Sequence, residues 1–185
     1  HKIVIQNTSF KVYDGSEQIF LTAIVNGLIL LPFILLFSTA GFVADKYPKS
    51  SVMRLAAWFA VVLTIGITIC YALGWFWVAF SMTFLLAVQS AIYSPAKYGY
   101  IKSLFGKQNL AEGNGLVQAV SIVGILTGTV IFSILFERWF PGQGTDKAEI
   151  MQTLVPIGFI LILSSVIELV MMYRVPQFEM KQNDH

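Results

Sequence analysis

The stretch VMRLAAWFAVVLTIGITICYAL, residues 52–73, carries one charged residue, Arg54, close to its beginning. An uninterrupted apolar segment of about 20 residues is the length that an α-helix needs to cross the hydrocarbon core of a bilayer. Segments 19–43, 75–95, 110–136 and 154–173 have the same character. Lipid offers no partner to unpaired backbone groups, so segments of this kind are expected to be helices rather than strands. The sequence therefore predicts an all-α fold, a polytopic transmembrane helix bundle with five spans.

The composition agrees with a surface that faces lipid. The chain is 56% hydrophobic and only 12% charged, whereas a soluble domain usually carries about a quarter charged residues. A net charge of +2 gives no support to a nucleic-acid partner. The single cysteine, Cys70, excludes a disulfide within the chain. No His, Cys or carboxylate cluster has the spacing of a metal site or a catalytic set, and no role is predicted for His1 or His185. We therefore predict no metal, no cofactor and no catalytic residue.

The short connections alternate in charge, which predicts the direction of the spans. Basic residues cluster on one side, in positions Lys46, Lys49, Arg54, Lys97, Lys102, Lys107, Arg174 and Lys181. On the other side, the loop 137–150 holds more acidic than basic residues. Because cytoplasmic loops carry the excess of Lys and Arg, residues 1–18 are predicted to be extracytoplasmic, and residues 174–185 are predicted to form a cytoplasmic tail or central loop.

The first basic loop, GFVADKYPKSS at residues 41–51, contains an acid in an unusual place. Asp45 lies at the C-terminal end of a predicted helix, where the helix dipole disfavours a carboxylate, so it is expected to need a partner. Gly41, one turn earlier, would permit close approach of a second helix. An ordinary positively charged cytoplasmic loop is the alternative interpretation of this stretch.

This loop resembles the signature of the major facilitator superfamily, Gly-x-x-x-Asp-Arg/Lys-x-Gly-Arg/Lys-Arg/Lys. Gly41, Asp45, Lys46 and Lys49 match it, whereas Pro48 and Ser50 depart from it. The resemblance implies a conformational latch, with Asp45 as its carboxylate and the two lysines as basic partners. It also implies that the five spans are the second to sixth helices of the N-terminal half of a major facilitator fold. A first helix and a second six-helix half would then belong to the same protein.

A second motif narrows the resemblance. The third span ends in AIYSPAKYGYIKSLF, residues 91–105, in which Pro95 is expected to break or kink the helix. The run from Tyr93 to Gly99, followed by Asn114-Gly115-Leu116, resembles the bacterial lysophospholipid transporter family. Gln118 departs from the acidic residue expected in that family. A proline-ended helix with tyrosine and lysine anchors at the membrane interface is the structural alternative.

Polar residues inside the spans are candidates for a substrate path, because such residues are expensive in lipid. Three of them, Asn114, Gln118 and Ser121, share one face of the fourth span by helical spacing. The other candidates are Asn26, Gln89, Tyr93, Lys97 and Glu168. Hydrogen bonds between helices would explain the same residues without a substrate. Gly124 and Gly128 have the spacing of a close-packed helix pair.

The family resemblance implies a secondary transporter of the bacterial inner membrane that moves lysophospholipid inward by alternating access. Its implied partners are membrane lipid, the lysophospholipid substrate and the remaining helices of the same protein. Two alternatives stay open: a membrane anchor for a fused phospholipid acyltransferase, or a facilitator that carries another small molecule.

Overall fold

The computed structural model describes residues 1–106, 108–142 and 146–176. Within these ranges the chain forms helices and no strand, in the order α1 (Lys2–Val12), α2 (Gly15–Leu35), α3 (Phe37–Lys46), α4 (Lys49–Ala72), α5 (Phe76–Phe105), α6 (Leu110–Trp139), α7 (Lys147–Thr153) and α8 (Val155–Arg174). Five of the described helices, α2, α4, α5, α6 and α8, are long and apolar enough to cross a membrane. The predicted all-α bundle with five spans is confirmed at this level.

The first predicted span, 19–43, is not one continuous helix. It is divided at Leu36, whose backbone angles (φ −98°, ψ 3°) separate α2 from α3. Pro32, inside the last turn of α2, has no N–H to donate to the carbonyl of Leu28, so the turn before the break lacks one hydrogen bond. The predicted span 19–43 therefore corresponds to two consecutive helices, α2 and α3.

The third predicted span was expected to end at Pro95, but α5 continues through it to Phe105. A proline in a membrane helix removes one backbone donor, and close packing of the neighbouring turns can hold the helix together. Such packing is present here, since Ala91 and Ala96 on either side of Pro95 are buried. The helix ends instead at Gly106, whose positive φ of 70° favours glycine.

Two short helices near the predicted outer side were not expected from the sequence. Residues 1–18 contain α1, whose Val4 and Ile5 are fully buried in the largest apolar cluster, and the loop 137–150 contains the beginning of α7. Lys11 of α1 forms an ion pair with Glu137 at the end of α6, with Nζ and Oε1 3.0 Å apart. These contacts tie α1 to the ends of the longer helices.

The centre of the bundle is α4, which is the most buried of the five candidate spans and packs on α5 and α8. Cys70 lies within this core and is buried. Between α4 and α8, the hydroxyl groups of Thr64 and Ser165 are 2.8 Å apart. One turn along α4, Thr68 packs closely on Gly158 of α8. A Cβ added at Gly158 would lie 2.7 Å from the methyl carbon of Thr68.

The side chain of Arg54 on α4 binds the C-terminal end of α8. Its Nε donates to the carbonyl of Met172 and its Nη2 to the carbonyl of Val175, each at 3.2 Å. The guanidinium also lies over the ring of Tyr173, 5.1 Å from its centroid. Trp58, one turn further along α4, donates to the hydroxyl of Tyr173 at 3.0 Å. The cationic side chain thus occupies the negative end of the α8 dipole.

Candidate substrate pocket between α3 and α5

A pocket of about 560 Å³ lies between the broken first span and α5. We call it the α3–α5 pocket. On one side it is lined by residues of α2 and α3, namely Phe33, Phe37, Ser38, Ala40, Gly41, Phe42 and Asp45. On the other side it is lined by residues of α5, namely Ala91, Ser94, Pro95 and Tyr98. Its volume is within the range of small-molecule sites, and its walls are mainly apolar.

The pocket brings together the two motifs that were singled out in the sequence. Gly41 and Asp45 belong to the first basic loop, and Ser94, Pro95 and Tyr98 belong to the proline-containing motif of α5. The motifs also meet beside the pocket, where the stem of Lys49 lies over Gly99. A Cβ at Gly99 would be only 2.6 Å from Cε of Lys49. The absence of a side chain at this glycine therefore lets the lysine lie against α5.

The predicted latch residues do not pair with one another in this conformation. Asp45 is exposed in the last turn of α3 and forms no ion pair with Lys46 or Lys49. The ammonium group of Lys46 lies instead over the rings of Phe42 and Tyr47, 5.5 and 5.7 Å from their centroids. The pairing of Asp45 with these lysines stays a prediction.

Gly41 has open space on the side where a side chain would project. A Cβ at this position would have no described atom within 4 Å beyond its own helix and chain neighbours. The open space beside Gly41 belongs to the pocket. This glycine consequently enlarges the pocket, and the close helix approach expected from the sequence finds no partner among the described residues.

Of the three polar residues predicted to share a face of α6, Gln118 reaches α5. The hydroxyl of Tyr98 donates to its Oε1 at 3.0 Å, so Gln118 holds a side chain of the pocket wall. Ser121 donates to the carbonyl of Val117 in its own helix at 2.7 Å. The buried Oδ1 of Asn114 has no hydrogen-bond partner among the described residues.

The remaining candidates for a substrate path lie outside the pocket. Asn26 is exposed on α2, and Lys97 lies with its ammonium group 5.1 Å from the ring centroid of Tyr98. Gln89 is buried and donates to the carbonyl of Ala56 on α4 at 3.1 Å. This hydrogen bond between helices accounts for Gln89 without a substrate. The described residues do not include Lys107, Lys181 or His185.

Tyr93 and Glu168 lie on the same side of the bundle. The hydroxyl of Tyr93 is 3.9 Å from the sulfur of Met172, which is one turn along α8 from Glu168. Glu168 is half-buried. These two residues are therefore neighbours across the bundle but do not contribute to the α3–α5 pocket.

No role was predicted for His1, yet both nitrogens of its ring have a hydrogen-bond partner. Its Nδ1 is 2.7 Å from the hydroxyl of Tyr71, and its Nε2 is 2.8 Å from the carbonyl of Ala79. A carbonyl only accepts, so Nε2 is the protonated nitrogen and, in the neutral ring, Nδ1 accepts from Tyr71. Nothing in a lone terminal histidine signals this pair, since its partners are remote in sequence.

The hydrogen bond between Tyr98 and Gln118 gives a modest, testable effect on stability. We expect Tyr98→Phe and Gln118→Ala to be coupled by about 0.6 kcal/mol, a typical value for a hydrogen bond between membrane helices. Thermal unfolding of the two single variants and the double variant of the full-length protein in detergent measures this coupling. Strict additivity of the two changes would show that the bond contributes nothing.

Five helices that can span a membrane, packed as a bundle beside an amphipathic pocket, define the class of this protein. The chain belongs to a multi-pass helical membrane protein.

Comparison with known proteins gives the particular relationship. The chain is 39% identical over 108 residues to a lysophospholipid transporter LplT of Photorhabdus laumondii, covering 58% of this chain and 26% of that protein. It is 35% identical over 123 residues to the LplT of Serratia proteamaculans (66% and 28% covered) and 34% identical over 123 residues to that of Yersinia pestis (66% and 27%). These matches confirm the resemblance to the lysophospholipid transporter family.

The chain spans about a quarter of the length of these relatives. No protein-family model and no solved structure matches it.

Proposed function

We propose that this chain contributes to a secondary transporter that moves lysophospholipid, chiefly lysophosphatidylethanolamine, inward across the bacterial inner membrane. The observation that carries the proposal is the α3–α5 pocket, where the two sequence motifs meet at a mainly apolar cavity whose lining includes Asp45. A lysophospholipid has the same division into an apolar chain and a charged headgroup. The relatives that bear the name of lysophospholipid transporter support this assignment.

In the proposed orientation, α1 lies on the extracytoplasmic side and the end of α8 lies on the cytoplasmic side. The distribution of Lys and Arg among the loops supports it. The end of the pocket that contains Asp45 then faces the cytoplasmic interface. A substrate held there would have its headgroup at the leaflet into which it is delivered.

The proposed transport step is alternating access, in which two halves of a major facilitator fold rock against each other. Asp45 is exposed at the end of α3 and forms no ion pair within the described part of the chain. It is therefore accessible to a cationic or helix N-terminal partner in the second half. Contact with such a partner would close the cytoplasmic side and act as the latch.

Uptake of labelled lysophosphatidylethanolamine by spheroplasts tests the proposal. The full-length protein is expressed in cells that lack their own lysophospholipid uptake, with an empty vector as the control. We expect label to accumulate inside in a form that is no longer extractable by albumin. Labelled glucose and a cationic dye are offered in parallel. Failure to take up the lipid, with transport of either other compound, would contradict the lipid assignment and support the alternative of another small-molecule substrate.

A further inference from the structure

We infer that the α3–α5 pocket receives the single acyl chain of the substrate, with the headgroup at Asp45 and Tyr98. This inference deepens the proposed function and rests on it. The pocket changes character along its length. Along the chain, the lining runs from the aromatic rings of Phe33 and Phe37 to the carboxylate of Asp45 in the last turn of α3, at the predicted membrane interface. An amphiphile with one chain and one charged headgroup has the same order of groups.

The dimensions of the pocket agree with one chain in one leaflet. Phe37 and Asp45 are eight positions apart on α3, and Ala91 and Tyr98 are seven positions apart on α5, so the two walls extend for roughly 10–12 Å at the helical rise of 1.5 Å per residue. The hydrocarbon core of a bilayer is about 30 Å thick, so that one leaflet contributes about 15 Å. The two walls therefore extend over most of the depth of one leaflet.

Small side chains create the space for the chain. Ala40 and Gly41 on α3 face Ala91 and Ser94 on α5, and a Cβ at Gly41 would meet open space. The phenyl rings of Phe37 and Phe42 line the same pocket and remain exposed. In a membrane their exposed faces would be in contact with lipid, so a chain can enter sideways without leaving an apolar environment.

Two substitutions that fill the pocket at different depths test how far the acyl chain extends into it. Gly41 is one helical turn from Asp45, and Ser38 is nearly two turns from it. Gly41→Leu should obstruct any chain, whereas Ser38→Leu should obstruct only the deeper part. Neither change is expected to disturb the fold, since Ser38 is exposed and Gly41 has open space beside it. The matched control is Gly124→Leu on α6, which also has open space and lies outside the pocket.

The experiment compares spheroplast uptake of oleoyl and decanoyl lysophosphatidylethanolamine by the full-length protein. Ser38→Leu is expected to lower uptake of the oleoyl lipid about tenfold, the loss caused when roughly two methylene groups lose their burial. Uptake of the decanoyl lipid by this variant should stay within about twofold of the unsubstituted protein by the same reasoning. Gly41→Leu should lower uptake of both lipids, and Gly124→Leu should change neither.

The outcomes separate this inference from the proposed function. If the unsubstituted protein takes up neither lipid, the proposed function fails. If it takes up both, and Ser38→Leu affects the two chain lengths equally or not at all, the acyl-chain assignment is overturned. Loss of both lipids in Gly41→Leu combined with full activity in Ser38→Leu would likewise overturn it, because that pattern indicates only a latch defect at Gly41.

Discussion

Replacement of Gly158 by alanine is expected to destabilise the protein by about 1–3 kcal/mol, the usual cost of forcing an extra carbon into a filled interface. The new Cβ would lie 2.7 Å from both Cγ2 and Oγ1 of Thr68. Thr68 cannot easily turn away, because it is β-branched, buried, and bonded through Oγ1 to the carbonyl of Thr64 at 2.8 Å. The interface between α4 and α8 must therefore open. A lower midpoint of thermal unfolding of the full-length protein in detergent measures the effect.

Gly128→Ala is the matched control for this prediction. A Cβ at Gly128 has no described atom within 4 Å, and alanine is the better helix former, so the midpoint should not fall. Thr68→Ala provides a rescue, since it removes both atoms that clash with the new methyl group. The double variant Gly158→Ala/Thr68→Ala should be more stable than Gly158→Ala alone. Equal midpoints for Gly158→Ala and Gly128→Ala would refute the close contact between α4 and α8.

Arg54→Ala is the second substitution for which a large effect is expected. It removes the charge-assisted hydrogen bonds to Met172 in the last turn of α8 and to Val175 just after it, and the contact with the ring of Tyr173. The carbonyls at the end of a helix have no intrahelical donor, so their loss of a cationic partner costs about 2 kcal/mol. The same unfolding measurement applies, with the midpoint compared at low and high salt.

Arg54→Lys and Trp58→Phe refine this prediction. Lysine keeps the charge, but its three donors share one nitrogen, so it lacks the planar fork in which Nε and Nη2 each donate to one carbonyl. We expect it to restore less than half of the lost stability. Trp58→Phe removes only the bond to the hydroxyl of Tyr173 and should cost less than about 1 kcal/mol. A lysine variant as stable as the unsubstituted protein would show that charge alone, and not the two bonds, stabilises the end of α8.

The helices that span the membrane could be predicted from composition because the bilayer imposes one length and one kind of backbone bonding. Residues 52–73 therefore sufficed to predict α4 to within a few positions. The prolines could not be placed with the same reliability. Pro95 was expected to end a helix and lies inside α5, whereas the interruption at Leu36 follows Pro32 by one turn. Packing around each turn decides these outcomes, and a local sequence does not contain it.

Only some of the residues that line the pocket could be predicted from the sequence. Asp45 and the motif around Pro95 could be found because a carboxylate or a proline is conspicuous in an apolar sequence. Phe33, Phe37 and Phe42 could not, since an aromatic side chain that lines a pocket has no local feature that distinguishes it from one that faces lipid. Small residues show the same ambiguity. Spacing favoured a tight contact at Gly124 and Gly128, yet both have open space beside them, whereas tight contacts occur at Gly99 and Gly158.

The burial of Cys70 makes this region suitable for site-specific spectroscopy. It is the only cysteine of the chain and is 4% exposed, so within this region a thiol reagent should leave it unmodified. A cysteine introduced on the exposed face of α6, for example at Leu126, would then be the one reactive thiol of these residues. A nitroxide or fluorophore attached there could report the motion and surroundings of α6 without prior removal of native thiols from this part of the chain.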